Sequence, residues 1–365
     1  MLFLPMEEIL DDNKMHEVWR RTRFNKRRSR DSVEFELFYE RNLLKLKESI
    51  NDRTYDAKEG NYTFVVHSPK PREIFATKTA NRIVHHFLDM ELRPIYEKVL
   101  SPNSFNNRVG KGIHNAINTF VKYLKEVSEN FTKPAYVYHL DIKGFFPNAN
   151  VGIILKQQIA LIRKYYEGTY KNTLEFLMRK VFTCDPARNC TKIVPDSSWD
   201  CIEPSKSLFN KPIGTGLQIG FLCCQNAMGI YPNNVTKFIE RLYKVVVFVD
   251  DIFVIDSDKT FLRIIPLVRN KFLKLKIELN EKKFYCQHYS KGILCLGRFI
   301  KGSKIFICKS TVIRSILFVK GKLESVNSYI GLYRDTDSIR DFARFVSNVC
   351  SRFSFSFIER KLCFC

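Results

Sequence analysis

Acidic residues are in short supply in this 365-residue chain: 38 Asp and Glu stand against 60 Lys and Arg, leaving a formal charge of +22. The deficit excludes an acidic, solvating protein. Because the basic residues run the whole length, it points to a polyanionic partner, nucleic acid before the ribosome or an anionic membrane surface. Long hydrophobic runs are missing too. No apolar stretch approaches about 18 residues, and the start, MLFLPMEEILDD, turns acidic after a short apolar run. Neither a signal peptide nor a membrane-spanning helix is expected. Eleven cysteines are present, an odd number with no C-x-x-C pair. They read as buried thiols in a reducing cytoplasm, several of them, such as Cys295 and Cys308, inside apolar strand-like runs. The irregular spacing of Cys184, Cys190 and Cys201 argues against zinc. Repeats and low-complexity tracts are absent, which excludes a solenoid. The 45% hydrophobic content suffices for one large domain or two to three lobes.

What is present falls into periodic segments. EFELFYERNLLKLKESI spaces Phe35, Phe38, Leu43, Leu46 and Ile50 near helical period. Upstream, RRTRFNKRRSR packs seven basic residues into positions 20–30, either a solvated arm or a contact to backbone phosphates. YTFVVHSPKPREIFA (62–76) reads as two strands about a Pro-interrupted loop, with Lys70 and Arg72 at the tip. A helix over 78–100, a polar loop carrying Arg108 and another helix from about Ile113 follow. AYVYHLDIKGFFPNAN (135–150) is an alternating strand ending on Asp141. A helical region to about 183 and a long Cys/Pro/Ser loop through 210 lead to a Gly-punctuated turn that opens a helix within 214–243. Then come YKVVVFVDDIFVID (243–256), a helix over 261–277, two strands in GILCLGRFIKGSKIFIC (292–308), and helices to the end.

In YKVVVFVDDIFVID, Asp250 and Asp251 would form a two-residue acidic turn between two strands. Asx residues are ordinary turn formers, so the pair alone supports no chemistry. Asp141 changes this, because it too ends an apolar strand, and antiparallel strands of one sheet would bring it beside the pair. Three carboxylates repel one another unless hard cations neutralise them. Mg²⁺ takes few protein carboxylates and fills its shell with phosphate oxygens and water. Two such ions about 3.5–4 Å apart stabilise the attacking and leaving oxygens of phosphoryl transfer. In a basic protein this constellation points to a nucleotidyl transferase.

The ordered segments PKPREI, NRIVHHFL, FNNRVGKGIHNA, LDIKGFFPN, KSLFNKPIGTGLQIGFLCCQ, FVDD, LNEKKFYC and GILCLGRFI resemble the successive motifs of prokaryotic reverse transcriptases, over roughly residues 35–305. The I-G-x-x-x-x-Q form at Ile219, Gly220 and Gln225, with the W…P-x-KSLF stretch from Trp199 to Phe209, is most similar to diversity-generating retroelement enzymes. Group II intron enzymes usually carry Gln-Gly and Ser-Pro versions here; retron and antiphage defence-associated enzymes lie nearby. The resemblance implies an α+β right-hand polymerase fold. A basic N-terminal segment (1–34) would precede fingers with the start of the palm (35–134). The palm, an antiparallel sheet backed by helices, would span 135–305 with a motif-bearing insertion at 184–213, and a small helical thumb would fill 306–365. It also implies RNA-directed DNA synthesis with two Mg²⁺ ions, or Mn²⁺ in their place. The partners would be dNTPs, an RNA template, the RNA/DNA duplex and a small basic accessory protein, with no membrane. No endonuclease, maturase or RNase H module fits after residue 305.

By the same resemblance Asp141, Asp250 and Asp251 are the catalytic, metal-binding carboxylates, with Ile142 beside Asp141 in the metal shell. Phe146 stands where the family places an aromatic gate against the ribose 2′-OH; Phe145 is placed beside it at the nucleotide, although its ring suits the core better. Lys70 and Arg72 would hold the triphosphate, and Gly216 and Gln225 would lie against the nascent pair, glycine permitting close approach. Lys283 would protonate leaving pyrophosphate. Arg108, Gly220, Phe248, Leu296 and Gly297 would meet primer and template, the last two in the primer grip.

Departures from the family stand at Phe248 (usually Tyr), Gln218 (Pro), Phe221 (Asn), and Cys223 and Cys224 (Thr-Ser). The hydrogen-bonding groups lost at Phe221 and Cys224 would lie near template or nucleotide, so fidelity, template choice or rate would change. Two other readings stay open: a defence-associated or retron enzyme using a noncoding RNA, and a catalytically inactive RNA-binding scaffold.

Overall fold

The computed structural model describes residues 9–24, 26, 29–67, 70–318 and 323–349. Parts of the expected basic segment (1–8, 25, 27 and 28) and of the expected thumb (319–322 and 350–365) lie outside the described residues. Among the described residues there are ten strands: β1 (Asn61–Val66), β2 (Arg72–Thr77), β3 (Tyr136–Asp141), β4 (Thr191–Lys192), β5 (Lys244–Phe248), β6 (Asp251–Asp256), β7 (Tyr285–His288), β8 (Ile293–Cys295), β9 (Arg298–Lys301) and β10 (Lys304–Ile307). With the helices they form two interleaved units. The class is α+β, as the sequence pattern implies.

The first unit takes the chain up to Pro102 together with Ile142–Phe238 and Leu267–Leu279. Its centre is the 21-residue helix Thr79–Val99, which buries Ile83, Val84, Phe87, Leu88, Leu92 and Ile95 at the three- and four-residue spacing of one helix face. Helices Asp12–Arg23 and Leu222–Ile230 pack on it. A buried carboxylate, Asp89, ties the three together: Arg93 donates to it at 2.6 Å, Asn226 at 2.7 Å, and Arg21 approaches to 3.5 Å. Pairing supplies the compensation that a buried charge requires.

β1 and β2 form the expected hairpin, with Val66 opposite Arg72. The 184–213 stretch is ordered by long-range contacts rather than by regular structure. Its short strand β4 joins β1 in parallel, and three 3₁₀ turns follow at Asp196–Cys201, Pro204–Lys206 and Leu208–Asn210. The clamp is Glu73 on β2, which is buried and accepts from Trp199 Nε1 (2.9 Å), Ser207 Oγ (2.7 Å) and the Leu208 amide (2.9 Å). Glu73→Ala strands all three donors. We expect it to destabilise this stretch by about 2–3 kcal/mol, read as faster proteolytic nicking between residues 193 and 213; unchanged nicking would show that the clamp does not hold it.

The second unit takes Asn103–Asp141, Ile239–Pro266 and the chain from Asn280 onward. Its main sheet has the order β5-β6-β3-β7, antiparallel throughout. Helix Ile113–Val127 buries Ala116, Ile117, Phe120, Val121 and Leu124 in one core with Val137, Val246, Phe253 and Ile255 of that sheet. Residues 292–308 form three strands, not the expected two: β8, β9 and β10 run antiparallel in a small sheet. The turn at Gly302, whose φ is +57°, splits the second apolar run. Helices Lys309–Phe318, Leu323–Tyr333 and Ile339–Val349 follow, with Tyr333 stacked on Phe342 at 4.1 Å. No helix among the described residues is long and apolar enough to cross a membrane.

Candidate active site

The second unit brings the three aspartates to one end of the main sheet. Asp141 on β3 is the register partner of Asp251 on β6, and Asp251 in turn pairs with Phe248 on β5. Residues directly opposite one another share a sheet face, so the two carboxylates rise from the same side. The joining turn is Val249–Asp250, not the expected Asp-Asp. Asp251 already belongs to β6, because the register with β3 pulls it into the ladder. Val249 takes φ +58°, a left-handed conformation that a β-branched residue adopts only at a cost.

Burial first, and then the charges of Asp251 and Asp141, push the Asp250 carboxyl up to about 6. Asp141 is 3% exposed. It accepts from Lys283 Nζ at 2.5 Å and Asn280 Nδ2 at 3.0 Å, while its backbone carbonyl accepts from the Asn280 amide at 2.8 Å. Partial burial works to lower the Lys283 pKa, but the bond to Asp141 and the charges of all three aspartates raise it overall. Asp251 is engaged by His139, whose Nε2 lies 2.6 Å from Oδ1.

Among the described residues no three His, Cys, Asp or Glu side chains are gathered closely enough to grip an ion by themselves. Asp141 and Asp251 are turned to protein donors instead. The electrostatics nevertheless fit a cation: after burial, the charges of Asp251 and Asp141 raise the pKa of Asp250, against a backbone hydrogen bond and the charge of Lys283, which lower it. A magnesium site needs few carboxylates, because water and phosphate oxygens complete its shell.

Other expected residues of this unit stand nearby in sequence or on its small sheet. The Phe248 ring is half-buried against the core that holds Phe253. Arg108 donates to the Ser104 carbonyl at 3.1 Å within the loop before Ile113. Leu296 and Gly297 are the two turn residues between β8 and β9, with φ of +47° and +77°.

The remaining expected residues belong to the first unit. Lys70 and Arg72 are exposed at the end of the β1–β2 hairpin; residues 68 and 69 of its loop lie outside the described residues. The Ile142 side chain is buried and its backbone forms an isolated antiparallel bridge with Leu279; an aliphatic side chain has no donor atom, so only its carbonyl could join a metal shell. Phe146 is half-exposed, and its carbonyl accepts from the Leu217 amide at 2.9 Å, which brings it together with the Gly216 segment. Phe145 is 6% exposed; it is a core residue, the reading the sequence favoured for its ring over a place at the nucleotide.

Gly216 and Gly220 make their close approaches to the protein itself. A Cβ on Gly220 would stand 2.1 Å from the Phe75 carbonyl oxygen, and one on Gly216 would stand 2.4 Å from Leu208 Cδ2 and 3.1 Å from the Pro147 oxygen. Gln225 is half-buried on the helix that follows. The departures sit inside this unit: Gln218, Phe221 and Cys223 are each 3% exposed and Cys224 is 0% exposed. Phe221 packs edge-on against His85 at 4.7 Å, whose pKa burial lowers to about 3, so that the imidazole is neutral.

Sequence reasoning missed His139, Asn280 and Val249. A signal for His139 existed: in VYHLD it lies two residues before Asp141, and alternation puts both on one face.

A mixed fold whose antiparallel sheet presents aspartates at one end defines a right-hand polymerase. The family model described as reverse transcriptase (RNA-dependent DNA polymerase) matches residues 58–300, and the chain belongs to that family. The description of that family names copying of RNA into DNA. No curated protein sequence matches the chain. Among solved structures it is similar to apo telomerase from Candida tropicalis, with TM-score 0.49, 10% identity and coverage of 80% of this chain and 56% of that one. It is also similar to telomerase from Candida albicans in complex with a TWJ fragment of telomeric RNA, with TM-score 0.47, 12% identity and coverage of 90% and 60%. The chain spans less than two thirds of the length of either structure.

Proposed function

We propose that the protein makes cDNA from a dedicated RNA by two-metal-ion nucleotidyl transfer, with Asp141, Asp250 and Asp251 holding Mg²⁺, or Mn²⁺ in its place. The observation that carries this is the register of β3 and β6, which sets Asp141 opposite Asp251 with Asp250 in the adjoining turn. When bound, the two cations would stabilise the attacking and leaving oxygens of the transfer. The chain's own residues divide the remaining work. Lys70 and Arg72 hold the triphosphate, Phe146 with the Gly216 segment faces the sugar and base, and Lys283 delivers a proton to pyrophosphate after leaving Asp141. Leu296 and Gly297 meet the primer.

Primer extension on RNA with dNTPs and Mg²⁺ tests this. No incorporation by the wild-type protein, even with its cognate RNA and accessory protein, would sink the polymerase reading in favour of a scaffold. The buried departures at 218–224 alter packing and leave all three aspartates in place, which disfavours the scaffold.

For the finer type, the I-G-x-x-x-x-Q form supports error-prone synthesis in a diversity-generating retroelement, with a small basic accessory protein as partner. Neighbouring DNA holding an imperfect repeat that differs at adenines would agree; a lone structured RNA gene or a toxin gene would move the protein to the retron or defence class. Phe146→Ala is expected to raise ribonucleotide incorporation relative to deoxynucleotide by on the order of tenfold or more, measured by single-turnover kinetics with each nucleotide.

A further inference from the structure

We infer that His139 is a positioning residue for Asp251, fixing which carboxylate oxygen remains for a divalent cation. The inference rests on the metal-ligand reading of Asp251 given above. His139 and Asp251 stand on neighbouring strands of one sheet, with Nε2 to Oδ1 at 2.6 Å. The ring has little freedom. Its cross-strand partners are Phe253 on one side and Tyr285 on the other, and it stacks on Phe253 at 4.8 Å and 22° and tilts against Tyr285 at 5.4 Å. The imidazole is 13% exposed, so its orientation is set by packing.

With Nε2 protonated, the ring donates to Oδ1 and leaves Oδ2 as the oxygen for a cation. Outer-sphere hydrogen bonds of this kind orient ligands and typically change metal affinity by 10- to 100-fold. The three aspartates are held differently. Asp141 has Lys283 and Asn280 on its two oxygens, Asp251 has His139, and among the described residues no side chain is bonded to Asp250. His139 is thus a hydrogen-bonded tether on a carboxylate that otherwise could rotate, whereas Lys283 is a charge that a cation must displace. The polar ring is wedged between two aromatic rings and its hydrogen bond is aimed at Asp251.

The test compares full-length wild type with His139→Phe, which keeps an aromatic ring but has no donor, and His139→Gln, whose amide nitrogen reaches about as far as Nε2. The readout is Mn²⁺ binding by electron paramagnetic resonance without nucleotide or primer, alongside the melting temperature and the Mg²⁺ dependence of primer extension. We expect His139→Phe to weaken Mn²⁺ binding by about tenfold or more, to shift the half-saturating Mg²⁺ upward by a similar factor, and to recover much of its rate at saturating metal. His139→Gln should restore binding. Wild-type Mn²⁺ affinity in a folded His139→Phe protein overturns the inference. Should that variant fold poorly, His139→Gln against His139→Leu is compared, and equal affinities overturn it too. In an Asp251→Asn background His139→Phe should add nothing; a further tenfold loss there would show that His139 acts by another route. If Asp251→Asn alone binds Mn²⁺ and extends primers as wild type does, the metal-ligand reading fails, whatever His139 does.

Discussion

An Asp250→Ala protein is expected to fold and to bind its RNA, yet to extend a primer at no more than about a thousandth of the wild-type rate, the scale of loss when charge stabilisation is removed at a reacting centre. The same substitution should leave the metal-free protein melting no lower than wild type. The reason lies in the Asp250 carboxyl, which burial and the neighbouring Asp251 and Asp141 push from 3.8 to about 6. A raised acid pKa means that ionising the group costs the folded state stability at neutral pH. That cost is relieved as pH falls from 7 towards 4, where the folded protein takes up a proton before the unfolded chain does. A divalent cation removes the same cost and binds the folded state preferentially, so Mg²⁺ should raise the melting temperature of wild type and raise that of Asp250→Ala much less. Activity falling while stability holds is the signature of a residue kept for function against local electrostatics. A large fall in melting temperature with Asp250→Ala would mean instead that the carboxylate is a structural turn former, the bland reading that its place in a hairpin first suggested.

How far the sequence could take this argument differs from residue to residue. The β1–β2 hairpin and β3 were legible because period-two alternation and Pro-bounded turns are local signals. Asp141 beside Asp251 could be anticipated because both end apolar strands and antiparallel pairing is the economical way to join them. The register was not legible. An Asp-Asp pair looks like a turn, and nothing local announces that Val249 will accept φ +58° so that Asp251 can pair with Asp141. The Glu73 clamp was invisible for a different reason: its partners Trp199, Ser207 and Leu208 are 126 to 135 positions away, and no spacing rule reaches that far. Phe145 and Phe146 were separable from the motif: Phe146, five residues after Asp141, took the gate position and left its neighbour for the core, and the 6% exposure of Phe145 agrees.

Gly220→Ala is the second large effect. The motif placed this glycine at primer and template; the structure adds a close approach to β2. Ile219 accepts from the Phe75 amide at 2.9 Å. At φ +127° a Cβ on Gly220 would stand 2.1 Å from the Phe75 oxygen and 3.2 Å from its carbonyl carbon. Both atoms belong to a strand paired with β1, so the strand cannot move aside as a side chain would. The conformation is itself one that alanine avoids. Overpacking against backbone together with this strain should cost about 3–5 kcal/mol, a fall in melting temperature of roughly 4–6 °C for a chain of this size. Gly216→Ala should cost less, because its nearest obstacle is the flexible end of Leu208. Thermal melts of the two variants beside wild type give the order. On the triphosphate-binding role proposed for Arg72, which β2 also carries, loosening the strand should weaken dNTP binding, so that Gly220→Ala raises the KM for dNTP more than it lowers kcat at permissive temperature. A Gly220→Ala protein that melts as wild type does but no longer extends primers would return this glycine to the template or nucleotide, as its motif first implied.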